Sequence, residues 1–226
     1  MSPTLSIHGS TPEIVRNDGR LYEGNLKHYF RVVFNKAQNL RNPYHNFRHL
    51  CHVMWLCYKA CIFYRDTLSQ REMRNLLIAA LFHDFDHTGK SGPDSVNIGR
   101  SIAGLVEHLL YEDEASLLEI VKLIKATEYP YTFPAEKLTL SCQIIRDADM
   151  SQALTVAWIQ QVVFGLSEEW GKSPLEVLKM QMPFHQNLQF FTEWAKQEFT
   201  QEIITQRITE ARELIEILSD EPVALS

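Results

Sequence analysis

Residues 48–68, RHLCHVMWLCYKACIFYRDTL, are apolar around nearly the whole circumference of a helix. Such a helix has no face to turn to water, so it belongs at the centre of a fold and must be sheathed by other helices. The rest of the chain supplies candidates. Residues 25–40 are amphipathic at helical period, and residues 69–85 open with Ser69 and Glu72 at capping-box spacing before running apolar. Residues 94–111 and 113–129 keep the same period, and Pro130 and Pro134 mark a loop at 129–137. A long apolar stretch runs from Leu138 to Phe164. At 173–182, Ser173, Pro174 and Glu176 occupy the cap, first-turn and box positions of another helix, and the chain closes on FTQEIITQRITEARELIEIL. With no alternating strand run, the expected fold is all-α, a compact helical bundle.

Composition narrows the function. Of 226 residues, 45% are apolar and 22% charged, as in ordinary soluble domains. The net charge is −6, and Lys and Arg are scattered rather than striped, which argues against nucleic acid or an anionic membrane as partner. A small phosphorylated substrate stays open, because a bound cation can hold one. Without linker or repeat, a single domain over 1–226 is expected, with a core at about 42–151 and helices of 152–226 completing a pocket. The first residues have neither a basic nor an apolar leader region, and the longest apolar run, 76–82, is too short to span a bilayer. Cys51, Cys57, Cys61 and Cys142 show no C-x-x-C spacing, so neither a disulfide framework nor a thiolate zinc site is expected. The expectation is a cytoplasmic, reduced protein. Nothing in the pattern points to a particular oligomer.

Three clusters could carry chemistry. In RNPYHNFRHLCHV, residues 41–53, His45, His49 and His52 are spaced four and then three apart, on one side of a helix. That spacing alone fits core histidines, a surface accident or a metal site. In LFHDFDHTG, residues 81–89, His83, Asp84, Asp86 and His87 close an apolar helix that Gly89, Gly92 and Pro93 then break. In RDADMS, residues 146–151, Asp147 and Asp149 sit in an otherwise apolar helix, where an ionised carboxylate is costly unless paired or bound to a cation. Pairing of Asp149 with Arg146, three residues earlier, is the alternative to a metal. Adjacent His83 and Asp84 would point about 100° apart on a continuous helix, so sharing an ion requires the helix to end there.

A two-cation hydrolytic site needs imidazoles and carboxylates for one ion, and water with a shared carboxylate for a harder second ion. It also needs an acid for the leaving oxygen. Helices carrying His, His-Asp and Asp offer all of these.

An isolated His, a later His-Asp pair and a later Asp resemble the HD-domain metal-dependent phosphohydrolases. The likeness goes further. NPYHNFRH is similar to the Tyr-His-Asn-x-x-His signature of class I cyclic-nucleotide phosphodiesterases, and HDFDHTG to their His-Asp-x-Asp-His-x-Gly. IKATEYP is similar to their Ala-Thr-Asp stretch and DADMS to their Ala-Asp-Leu-Ser, all in family order over residues 42–151. The resemblance implies an all-α fold with His49, His83, Asp84 and Asp149 on a first, zinc-like metal. Asp84 would bridge to a second ion, Mg²⁺ or Mn²⁺, and His45 would be the general acid. His87, Asn97, Thr127 and Glu128 would stand behind the ligands, and Tyr44 would line the substrate. The implied reaction opens a 3′,5′-cyclic nucleotide to its 5′-monophosphate by in-line attack of a metal-bridging hydroxide.

The chain departs from the family at three points. Only 75 residues follow Ser151 to build the base pocket. There the family presents a glutamine that reads the base and a phenylalanine three residues later. In PFHQNLQFF, residues 183–191, Asn187 and Phe190 keep that spacing with Asn in place of Gln, and Gln186 and Gln189 are the other candidate amides. Glu128 stands where the family has Asp. The glutamate that orients the acid histidine has no counterpart in PDSVNIGRS, residues 93–101, where Asn97 is the nearest substitute. An HD-type nucleotidase or other small-phosphoester hydrolase is therefore the first alternative. A catalytically idle metal-binding or nucleotide-sensing module is the second, although no ligand or acid is missing. His52, His8, His28, His108 and His185 are expected to be bystanders.

Overall fold

The computed structural model describes residues 10–131, 134 and 137–219, so His8 lies outside the described residues. Among these residues there are helices and turns and no strand. In chain order the helices are α1 (Thr11–Arg16), α2 (Lys27–Lys36), α3 (Phe47–Phe63), α4 (Gln70–Phe82), α5 (Asp94–His108) and α6 (Leu117–Lys125). They continue with α7 (Leu140–Met150), α8 (Gly165–Trp170), α9 (Pro174–Asn187), α10 (Glu193–Glu198) and α11 (Gln201–Ser219). None is long and apolar enough to cross a membrane.

The centre is shared by α3 and α4, and α4 is the deeper. Every residue from Met73 to Phe82 is buried, beneath α2, α3, α5, α6 and α7. Leu50, Val53, Met54, Cys57, Ala60 and Cys61 of α3 are fully buried against it, while Phe63 at its end is exposed. Fully burying a large aliphatic side chain contributes about 1.5–3 kcal/mol, so these two helices anchor everything they carry. One buried ion pair sits among them. Arg74 of α4 donates from Nε and Nη2 to both oxygens of Asp113 at 2.8 and 2.7 Å, and the Tyr29 hydroxyl donates to the same carboxylate at 2.6 Å. Such a pair is tolerable inside a protein because its hydrogen-bonding capacity is filled.

The caps form as the sequence implies. Ser69–Glu72 and Ser173–Glu176 are reciprocal capping boxes. Three boundaries matter for the site, and the first and third differ from expectation. First, α3 begins at Phe47, where the Asn46 side chain accepts the amides of Arg48 and His49 at 2.9 and 3.2 Å. His45 therefore precedes the helix instead of sharing it. Second, the apolar stretch 138–164 is not one helix. It breaks at Met150 into a 3-10 turn, Ser151–Leu154, and later a π-helical turn, Ile159–Phe164. Third, α9 does not stop at Met182 but runs through Pro183 to Asn187, carried by a face that buries Val177, Leu178, Gln181 and His185. A smaller apolar cluster of Trp158, Val162, Val163, Leu166, Val177, Leu178 and Ala211 joins the π-turn, α8, α9 and α11.

Candidate metal centre

Three helix ends meet at one point. His49 is in the first turn of α3, His83 caps the C-terminus of α4, Asp84 follows it, and Asp149 is next to last in α7. Because α4 ends at Phe82, His83 and Asp84 escape the helical 100° rule and both face inward. The chain then reverses over Asp86, at φ +60°, and Gly89, at φ +64°. At Gly89 a Cβ would fall 2.7 Å from the Asn42 amide nitrogen, so this close approach requires glycine.

His49 Nε2 lies 3.1 Å from Asp149 Oδ1 and 3.2 Å from Asp84 Oδ2, and His83 Nε2 lies 3.5 and 3.3 Å from the same two oxygens. The two Nε2 atoms are 3.2 Å apart. Ligands held about 2.1 Å from one ion are separated from each other by about 3.0–3.4 Å, the spacing found here. The tautomers agree. His83 Nδ1–H donates to the Ala80 carbonyl at 2.9 Å and His49 Nδ1–H to Gln152 Oε1 at 2.5 Å, which turns both Nε2 lone pairs toward the carboxylates.

Four acceptors face one another, an arrangement that requires protons or a cation between them. Burial opposes charge on His49, yet hydrogen bonds to Asp149 and Asp84 carry its pKa up to about 9, and His83 is likewise raised. Burial would raise Asp149, but hydrogen bonds from His49 and His83 pull it down to about 2. The cluster is a receptor for positive charge, and a divalent ion fits its donor set. The imidazoles are 1% exposed and the Asp84 and Asp149 side chains 14% and 22%, so the carboxylates form the face open to a cleft. The expected alternative partner of Asp149, Arg146, lies with its guanidinium 4.0 Å over the Tyr131 ring and donates from Nε to the Ala126 carbonyl. Asp147 is fully buried and accepts the amide and hydroxyl of Thr192 at 2.8 and 2.7 Å, fastening the start of α10.

Beside the four donors stands His45. Its Nδ1–H donates to Glu169 Oε2 at 2.6 Å, and Glu169 Oε1 accepts the amides of Tyr44 and His45 at 2.9 and 2.8 Å. Burial works against this carboxylate's charge, but the hydrogen bond from His45 holds its pKa below the ordinary value. The orienting glutamate thus comes from α8, not from residues 93–101. Asn97, the expected substitute, instead accepts the Thr88 amide and hydroxyl, both at 3.1 Å, and donates to Asp94. His87 stacks on His45 with ring centroids 3.6 Å apart and is pushed down to about 4, by burial first and by His45 second. Its Nδ1 accepts the Gly89 amide, leaving the proton on Nε2. His45, His87 and Glu169 also lie close enough to hold an ion. In that trio His45 Nδ1 is already bonded to Glu169 and His87 Nδ1 to the Gly89 amide.

His45, His87, Asp84 and Asp149 line a cleft of about 340 Å³ together with Tyr44, Asp94, Asn97, Thr127, Val162, Leu166, Trp170, Met180, Gln181 and Phe184. Thr127 donates its hydroxyl to the Ile124 carbonyl. Glu128 is half-buried and outside the lining, where Asp94 supplies the carboxylate. The expected base-reading residues are placed elsewhere. Asn187 is exposed and donates back to the Pro183 carbonyl at 2.7 Å. Asn187 and Gln189 border an adjoining hollow of about 400 Å³, Gln186 is exposed and lines neither space, and Phe190 is buried against Phe199. In the cleft stand Gln181 and Phe184, which have the family's three-residue spacing, and Gln181 Oε1 is buried without a hydrogen-bond partner among the described residues. His52 meets Ser151 Oγ at 3.3 Å, His28 meets the His108 carbonyl at 2.8 Å, and His185 donates to the Ala153 carbonyl at 3.1 Å.

No curated protein matches the chain. Residues 44–119, 76 of the 226, match the model of the 3′5′-cyclic nucleotide phosphodiesterase family. That segment holds His45, His49, His83 and Asp84 and ends before Asp149. In this segment, and in motif order as far as Ser151, the chain resembles the catalytic domain of the class I cyclic-nucleotide phosphodiesterases.

Proposed function

We propose that the protein hydrolyses a 3′,5′-cyclic nucleotide to the nucleoside 5′-monophosphate with two divalent cations. One observation carries the reading: His49, His83, Asp84 and Asp149 converge beneath a cleft that Asp84, Asp149 and His45 line, and Glu169 backs His45. The four donors would hold a zinc-like ion, and Asp84 with water would hold Mg²⁺ or Mn²⁺. Bound there, such ions supply Lewis acidity at the phosphoryl oxygens and lower the pKa of the attacking water.

The chain's own groups do the rest. With Nδ1–H committed to Glu169, His45 carries its transferable proton on Nε2. As water adds to phosphorus and the P–O3′ bond breaks, that proton passes to O3′. The stacked His87 stays neutral, so the His45 ring is held without a competing positive charge. A cleft of about 340 Å³ suits a single nucleotide. Phe184, Val162 and Leu166 give it apolar walls, and the Gln181 amide is available to a base edge.

A glutamine and phenylalanine at family spacing answer one argument for a nucleotidase, the missing glutamine, and leave the short C-terminal part as the other. The four free cysteines suit a reducing compartment, and we place the protein in the cytoplasm. The test is a panel of cyclic AMP, cyclic GMP and nucleoside monophosphates, each with chelator and with added Mn²⁺. Metal-dependent opening of a cyclic nucleotide is expected. Turnover confined to monophosphates would overturn the substrate, and no turnover in a metal-loaded protein would favour an idle sensing module.

A further inference from the structure

Gln152 lies between the candidate metal centre and the π-helical turn. It is buried in the 3-10 turn that follows α7. Its Oε1 accepts Nδ1–H of His49 at 2.5 Å, and its Nε2 donates to Gln161 Oε1 at 2.9 Å. Gln161 is half-buried on the π-turn Ile159–Phe164. A π-turn interrupts the regular helical register and re-aims the side chains it carries, often at functional sites.

A primary amide can occupy its place in two orientations. Rotated by 180°, Gln152 would present N–H to His49 Nδ1, and the ring proton would have to move to Nε2. Nε2 is the atom that faces Asp84, Asp149 and His83, so that rotation would put a proton where a cation belongs. Neutral His49, the form that can bind a cation, cannot by itself choose between the two orientations, because its tautomer can adapt to either. The choice needs an acceptor on the far side of Gln152, and Gln161 Oε1 is placed there, so Gln152 could reverse only if the Gln161 amide reversed with it.

We propose that Gln161 is a positioning residue, acting through Gln152 to keep the His49 Nε2 lone pair turned toward Asp84 and Asp149. The inference rests on the reading of His49 as a metal ligand. Partners one step behind a ligand characteristically change metal affinity by about 10–100-fold when removed. Here the effect passes through one further amide and originates on an element that carries no ligand.

The experiment compares the full-length wild type with Gln161→Met, which removes the acceptor at similar volume, and Gln161→Glu, which keeps it. Zn²⁺ affinity is measured by competition with a chelator, and solvent exchange of the His49 Nδ1–H proton is followed by NMR in metal-free and Zn²⁺-loaded protein. Gln161→Met should bind Zn²⁺ about 10–100-fold more weakly and exchange that proton faster, while Gln161→Glu should stay close to the wild type. Unchanged affinity in Gln161→Met would overturn the proposal. So would an equal loss in Gln161→Glu, because it would show packing and not the acceptor at work. If no form binds Zn²⁺, the proposed function fails, and the metal-free exchange rates still decide the relay: faster exchange in Gln161→Met supports it and an unchanged rate overturns it.

Discussion

Replacing Glu169 with glutamine removes one charge beside His45 while preserving shape. Glu169 accepts three N–H groups, from His45 Nδ1 at 2.6 Å and from the amides of His45 and Tyr44 at 2.8 and 2.9 Å. Glutamine has a single carbonyl oxygen, so its amide nitrogen must oppose either the ring N–H or the two backbone amides. A hydrogen bond to a charged group contributes about 1.5–3 kcal/mol and a neutral one about 0.5–1.5, so the imidazolium form of His45 loses about 1–2 kcal/mol of support. At 1.36 kcal/mol per tenfold, kcat should fall by roughly 5–30-fold. The ceiling is the roughly 10²–10⁴-fold expected when the acid itself is removed in His45→Ala. The assay is steady-state hydrolysis of a cyclic nucleotide at saturating Mn²⁺, with metal content measured on the same samples. Metal should be retained in Glu169→Gln, and the defect should shrink with a phosphodiester whose leaving group needs no proton. A wild-type kcat, or loss of metal along with activity, would refute the role of Glu169.

The remaining expectations address the ligands, the base slot and the fold. Asp84→Ala should cost the most activity and His49→Ala should lose metal, whereas His52→Ala, with its 3.3 Å contact to Ser151, should leave metal content unchanged; a loss matching His49→Ala would show that the ligand set is wrong. Gln181→Ala should raise KM for the cyclic nucleotide and Asn187→Ala should not, and the reverse pattern would return base reading to residues 183–191. Asp113→Asn should destabilise the protein in denaturant unfolding at pH 7, by less than the roughly 3–5 kcal/mol of a fully unpaired buried charge, because Arg74 keeps only the more exposed Glu112, at 3.0 Å, as its counterion. Burial opposes the Asp113 charge, but the Arg74 hydrogen bonds lower its pKa below the ordinary carboxylate value. Its stabilisation is therefore complete above the unfolded pKa of about 3.9 and is lost as pH falls through the folded value. Asp113→Asn should flatten that acid limb, and an unchanged stability difference between pH 7 and pH 3 would contradict the assignment.

The convergence of the candidate ligands was legible because they lie within short motifs at helix ends. Tyr-His-Asn-x-x-His places a cap at Asn46 and a candidate ligand at His49, and His-Asp closes α4 where the helix stops. Residues recruited from distant helices were harder to read. Glu169 lies 124 positions beyond His45, and nothing local separates its carboxylate from that of exposed Glu168. Gln181 and Phe184 carried the family spacing in plain view, but Pro183 between them reads as a helix stop. A helix ending at Met182 moves the search downstream to Asn187, whereas α9 continues through the proline and keeps Gln181 facing the cleft. The break at Met150 was hidden for a related reason. An unbroken apolar stretch has helical period on both sides of a turn, and the turn places Gln152 behind His49.

The most direct test of a metal-dependent phosphohydrolase built on His49, His83, Asp84 and Asp149 is cyclic nucleotide hydrolysis by chelator-stripped protein as Mn²⁺ or Mg²⁺ is restored. Turnover that disappears on stripping and returns with added metal, in the wild type and not in Asp149→Asn, is the expected result. Hydrolysis that survives complete removal of metal, or that returns equally in Asp149→Asn, would contradict it.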